Sequence, residues 1–184
     1  MQLVLSTGDP YNAVYTTTEG RVLYKVVSRS RKLPPRRWST VDKAVPAKSS
    51  TGDKQDHFKR IGEVEFHTIL SSVITFRGVT QDVDTYFRKG SSTLPLTLGS
   101  HRIFVGPDGK EYRWKLAHTK PVLYRHSDKA RVAKFLPQDT TVASNSRRAM
   151  LEIYSAGEHM VDTIVVTLAY IEKLRQDRES VLSL

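Results

Sequence analysis

The sequence predicts a mainly β protein, a closed antiparallel barrel of about twelve strands with a hydrophobic C-terminal helix through its centre. Three observations lead there. Short alternating segments separated by turn residues fill most of the 184 residues. One segment, at about residues 157–178, changes to a helical period, and its apolar residues fall on every side of the helix. A helix of that kind must be surrounded, and a sheet closed on itself both surrounds it and removes exposed strand edges.

Taken in order, residues 2–5 and 13–16 read as strands on either side of a turn at 7–12 containing Thr, Gly, Asp, Pro and Asn. Glu19 and Gly20 turn the chain into a strand at 21–28, where Val22, Tyr24 and Val26 alternate with Leu23, Lys25 and Val27. A weaker strand follows at 38–44. Residues 45–56 are rich in Ser, Lys, Gly and Asp and read as a mobile loop; strands resume at 57–67, 72–76 and 84–88. An uncharged loop at 90–100 leads to the clearest hairpin, strands at 101–106 and 110–117. Pro107, Asp108 and Gly109 join them, the Asp-Gly pair supplying the positive φ of a tight turn. Within that hairpin Tyr112, Trp114 and Leu116 share one face, and Arg113 and Lys115 share the other. Strands at 121–125, 130–136 and 148–154 complete the set.

Ser155 and Glu158 have the spacing of a capping box just before the helix. Glu158 and Asp162 near its start, and Lys173, Arg175 and Arg178 near its end, match the helix dipole. Between them residues 163–171 carry no charge. That stretch spans about 14 Å against roughly 30 Å for a bilayer core, so it reads as a core helix and not a membrane span. Thr163, Ile164, Val165, Val166, Thr167 and Ile171 are β-branched and mediocre helix formers, so burial must supply the stability.

Hydrophobic residues make up 39% of the chain and charged residues 26%, with a net charge of +10. This composition excludes a disordered or collagen-like chain and a polytopic membrane protein, and the length suits a single domain over residues 1–184. The absence of Cys excludes disulfides, thiolate metal sites and a cysteine nucleophile. No signal peptide is expected in the first ten residues, which points to the cytoplasm, a membrane periphery or the nucleus.

The positive charge is local, concentrated in residues 21–60 and 101–156. Arg29, Arg31, Lys32, Arg36 and Arg37 fall close together around Pro34 and Pro35, whose missing N–H groups oppose a regular ladder. The segment therefore reads as a loop or extended connector. Lys129, Arg131, Arg147 and Arg148 make a second basic region. Cations at this density attract anionic lipid or membrane surfaces, acidic proteins or nucleic acid. The competing reading is a solvated, solubilising surface.

Catalytic chemistry finds little support. No phosphate-cradling glycine loop, Gly-x-Ser-x-Gly or His-Glu-x-x-His motif occurs. His57, His67, His101, His118, His126 and His159 are scattered with no i, i+4 pair, so neither metal nor cofactor is expected. Glu63 and Glu65 share one strand face, which suits a solvated wall better than an acid–base pair. Asp162 is expected to accept donors at the barrel rim, and His159 to pack or cap. Aromatics and cations at 112–115 lie on opposite faces, as a barrel wall needs and a base-stacking platform does not.

A family resemblance rests on LVLSTGDPYN at 3–12, GRVLYK at 20–25, GEVE at 62–65, FVGPDGKEYRWK at 104–115, HMVDTIVVT at 159–167 and EKLR at 172–175. Over nearly its whole length the chain resembles the tubby-like superfamily of tubby C-terminal domains, phospholipid scramblases and LURP-one-related proteins. Within it, the chain looks most like an uncharacterised, mushroom-type fungal family. The resemblance implies a barrel threaded by its C-terminal helix and, by analogy with tubby domains, recognition of phosphoinositides through basic side chains. A scramblase activity does not carry over, because the Cys-rich region and the acidic calcium segment have no counterpart here. The expectation is a non-enzymatic binding module for anionic lipid headgroups; the alternative is a protein-interaction or regulatory adaptor.

Overall fold

The fold comes from a computed structural model that describes residues 1–33, 35–46, 57–67, 70–90, 101–116, 120–139 and 147–182. The strands of the first half are β1 (Gln2–Leu5), β2 (Ala13–Thr16), β3 (Val22–Arg31), β4 (Arg36–Val45), β5 (His57–Phe66), β6 (Val73–Phe76) and β7 (Val79–Asp82). After a one-turn helix α1 (Val83–Tyr86) come β8 (Arg88–Lys89), β9 (Arg102–Val105), β10 (Glu111–Lys115), β11 (Val122–Arg125), β12 (Arg131–Leu136) and β13 (Met150–Ile153). A 3-10 segment (Ser155–Met160) leads into α2 (Val161–Leu182). The strands form one 13-stranded antiparallel sheet in the order β7-β6-β5-β4-β3-β2-β1-β13-β12-β11-β10-β9-β8.

Every residue from 163 to 173 is buried, including Thr163, Thr167, Glu172 and Lys173. The sheet wraps around this stretch. Tyr24 of β3 and Lys43 of β4 meet Asp162, and Gly62 of β5 lies against Val166. From the other half of the sheet, Trp114 of β10 donates its indole N–H to Thr167 Oγ1 at 3.1 Å. The Thr167 hydroxyl in turn donates to the Thr163 carbonyl at 2.7 Å, so the buried Trp114 indole and Thr167 hydroxyl are both satisfied. The expected face assignment in β10 holds, with Tyr112, Trp114 and Leu116 all buried. The turn between β9 and β10 also holds, with Gly109 at φ +76° where a side chain would be strained.

Several expectations need correction. The ladder does not close by hydrogen bonds: β7 and β8 are the two edges, and α1 with Phe87 carries the chain between them. The strand expected at 84–88 is therefore mostly a helical turn. A strand would send Tyr86 and Phe87 to opposite faces, whereas a turn brings Val83, Tyr86 and Phe87 to one side, where all three pack on the core. Phe87 stacks on Tyr170 of α2 at 5.2 Å and meets Phe104 edge-on at 5.8 Å. The capping box does not form either; the 3-10 segment starts without a side-chain cap, and Gly157 N–H bonds to the Tyr154 carbonyl. Burial of Gly157 against Val132 selects that tighter turn. An additional strand, β7, follows the two-residue Arg77-Gly78 turn, both at positive φ. The loops expected at 45–56 and 90–100 lie almost wholly outside the described residues.

Polar links fasten the far end of α2. Glu172 is fully buried, and Arg175 reaches its two oxygens at 2.6 and 2.9 Å. Burial pushes the Glu172 carboxyl above its ordinary range, and the Arg175 fork offsets this only in part. Gln176 accepts from the Tyr11 hydroxyl at 2.7 Å and donates to Asp9 at 3.1 Å, tying α2 to the β1–β2 turn.

Ile164→Asp is expected to abolish soluble expression, since it leaves an unpaired charge in the buried part of the helix at a cost of several kcal/mol. Recovery of a soluble variant that melts like the wild type would show the helix to be unenclosed. A Cβ at Gly62 would lie 2.9 Å from Val166 Cγ2 and 3.2 Å from the Thr75 carbonyl oxygen. Gly62→Val should cost about 1–3 kcal/mol by overpacking, and Val166→Ala in the same chain should restore part of it in denaturant melts.

Candidate anion-binding surface

The basic stretch around Pro34 and Pro35 is a hairpin and not a free connector. Arg29 pairs with Trp38, Ser30 with Arg37 and Arg31 with Arg36 across β3 and β4. The last paired positions precede and follow the prolines; Pro35 sits in the turn and costs the ladder nothing, while Pro34 lies outside the described residues.

Alternation divides the cations between two faces. Arg36 lies on the outer face, where its guanidinium contacts Glu65 at 2.6 Å and Glu63 at 3.4 Å and lies over the Trp38 ring. That contact, before any other influence, holds the Glu65 carboxyl below its ordinary range. Glu63 and Glu65 do share a face as expected, and Arg60 adds contacts to Asp42 at 3.0 Å and to Glu63 at 3.6 Å. Arg36 is thus a structural tie and not one of the cations left for an anionic ligand. Arg29, Arg31, Lys32 and Arg37 are exposed, and none lies within ion-pair distance of a carboxylate among the described residues. Arg37 is on the inner face, opposite Ser30 on one side and Phe66 on the other.

Arg31 and Arg37 border a cleft of about 220 Å³ between the hairpin, the end of β5 and α2. Ser30, Arg31, Arg36 and Arg37 form its basic wall, Phe66 and His67 its opposite wall, and Asp177 its helix side. Asp177 is engaged by Lys173, and His67 Nε2 lies 3.1 Å from Glu65. The wall therefore keeps an excess of cation at a site the size of a small anionic group.

The second basic region divides. The β12–β13 connection lies at the same end of the sheet as the β3–β4 turn, so Arg147 (bridged to Asp139) and Arg148 join that end. Lys129 and Arg131 lie at the opposite end, beside the β11–β12 turn, with Arg131 over the Tyr154 ring and the Lys129 ammonium donating to the His126 carbonyl.

That opposite end holds a second cleft of about 290 Å³ around the start of α2. Tyr24 donates to Asp162 Oδ1 at 2.6 Å, and Lys43 approaches the same carboxylate at 2.9 Å. Burial and then Asp162 push the Tyr24 phenol far above its ordinary value, so it stays a hydrogen-bond donor. Asp162 thus accepts side-chain donors at the rim, as expected. His159 contacts Tyr112 Oη at 3.3 Å and Asp108 at 3.5 Å from an exposed position in the 3-10 segment, so it is neither packed nor a helix cap. Among the described residues no three His, Asp or Glu side chains cluster as metal ligands. No helix of the described residues is long and apolar enough to cross a membrane.

Sequence reasoning did not bring Ser30, Phe66 and His67 to this site. Their meeting with Arg31 and Arg37 depends on the pairing of β3, β4 and β5, which no local pattern reports. A family described only as of unknown function, DUF6593, matches residues 8–177. No curated protein and no solved structure matches the chain.

Arg36→Glu should lower the melting temperature, because it sets like charges against Glu63 and Glu65, whereas Arg37→Glu should leave it nearly unchanged. The Glu65 contribution has a definite sign. Its carboxyl is depressed in the folded state, so the link stabilises above the ordinary carboxylate range and is lost as pH falls through the folded value. Glu65→Gln should flatten that acid limb of a melting-temperature against pH profile.

Proposed function

We propose that this chain, which belongs to the family of unknown function DUF6593, is a non-enzymatic module that binds phosphate-bearing anionic lipid headgroups in the cleft between the β3–β4 hairpin and the end of β5. The observation that carries this reading is an imbalance within one hairpin. Arg36 is matched by two carboxylates, while Arg29, Arg31, Lys32 and Arg37 project beside it with no acidic partner among the described residues. Guanidinium groups recognise phosphate oxygens in pairs, and Arg31 and Arg37 on the basic wall of one cleft suit that geometry. Arg147 and Arg148 extend the positive rim at the same end.

The sequence resemblance to tubby-like domains supports the same reading, and with it a barrel whose seam lies between β7 and β8. The Tyr24–Lys43–Asp162 cluster favours a structural role over a catalytic one, because each member is held by the others at the helix start. The protein would work at the periphery of an anionic membrane surface.

Co-sedimentation with vesicles of phosphatidylcholine alone, and with phosphatidylserine or a phosphoinositide added, tests the proposal. Binding should require the anionic lipid and weaken with added salt. Each near-surface cation contributes about 1 kcal/mol, so Arg31→Glu/Lys32→Glu/Arg37→Glu should weaken binding roughly a hundredfold or more. Its melting temperature should match the wild type. No binding at low salt, or binding unaltered in the triple variant, would overturn the proposal; retention on an acidic protein or RNA instead would favour an adaptor.

A further inference from the structure

The same end of the sheet carries two leucines that the fold does not use. Leu33 is 86% exposed in the β3–β4 turn and Leu70 is 75% exposed in the β5–β6 turn. The β3–β4 and β5–β6 hairpins are neighbours in the sheet, since β4 pairs with β5, and their turns lie at the same end. Two strand spacings separate them, about 10 Å, so both tips can reach one plane. Around them stand the cations already described: Arg31, Lys32 and Arg37 beside Leu33, and Arg147 and Arg148 farther along the rim.

We infer that Leu33 and Leu70 insert into the boundary between headgroups and acyl chains when the cleft engages an anionic bilayer, so that two neighbouring turns dock as a pair. The inference rests on the headgroup reading above and adds to it an apolar anchor and a fixed orientation. An apolar tip inside a collar of cations is the pattern of an interfacial anchor: the charges meet the headgroups while the leucines leave water. Charge complementarity selects the bilayer, because Arg31, Lys32 and Arg37 beside Leu33 have no acidic partner among the described residues. The other exposed aliphatic side chains in strands, Val27, Val79 and Val105, lie within β3, β7 and β9 and not at a turn tip. The bound protein would stand with the C-terminal end of α2 toward the membrane and the Asp162 end away from it.

The chain has no Cys, so Leu33→Cys or Leu70→Cys can carry a single environment-sensitive dye. With vesicles containing phosphatidylserine, either dye should shift to the blue and be quenched by lipids brominated in the acyl chain; a dye at Val105→Cys should do neither. Leu33→Ser/Leu70→Ser should weaken binding at least tenfold, leave the melting temperature unchanged and abolish the binding that survives high salt. Wild-type binding with unquenched dyes and an undiminished double-Ser variant overturns insertion and leaves headgroup binding standing. Absence of wild-type binding to any anionic vesicle overturns both.

Discussion

A helix that is apolar on every side cannot rest on a sheet; it has to be enclosed, and most of this fold is what enclosure demands. Residues 163–173 are buried throughout, and their neighbours come from both halves of the sheet. The demands are local as well as global. Gly62 lacks a side chain where Val166 presses against β5, and Gly157 lacks one where the 3-10 segment crosses β12. Thr167 is the polar exception in mid-helix, and it is matched by the Trp114 indole and the Thr163 carbonyl. Glu172, also buried, depends on Arg175 and on a network that reaches the β1–β2 turn.

Wrapping a 13-stranded ladder around one helix raises the problem of where its edges go. Here the two edge strands are consecutive in the chain, and the connection between them is a single helical turn. The edge β8 has only two residues, both cationic, which limits pairing with another chain. Beside this turn, Phe87 stacks on Tyr170, and Phe104 continues the aromatic row to Tyr112. Aromatic packing thus covers an inner face that hydrogen bonds leave open.

Enclosure also gives the molecule two distinct ends. At the start of α2, acidic Asp162 is tied to Tyr24 and Lys43, and His159 meets Asp108 and Tyr112, so charges there are matched across short distances. At the other end, the β3–β4 hairpin extends past its paired carboxylates and leaves cations and Leu33 facing solvent. Polarity along the helix axis therefore arises from where hairpins overrun the core, not from net charge alone.

The elements whose signals are local follow from the amino-acid sequence alone. The all-round apolar helix, the Asp-Gly turn at Gly109 and the inward face of Tyr112, Trp114 and Leu116 were legible because each follows from periodicity or backbone stereochemistry within a few residues. The tertiary fold sets the register of β3, β4 and β5, which makes Arg36 a partner of Glu63 and Glu65 and leaves Arg37 in a cleft with Phe66 and His67. It also decided that Arg147 and Arg148 share the hairpin's end while Lys129 and Arg131 occupy the other. It replaced the capping box by a 3-10 turn and the strand at 84–88 by α1, because packing on Val132 and on the aromatic seam outweighs local preference. Pairing between residues far apart in sequence is a property of the whole ladder, and no window of the chain carries it.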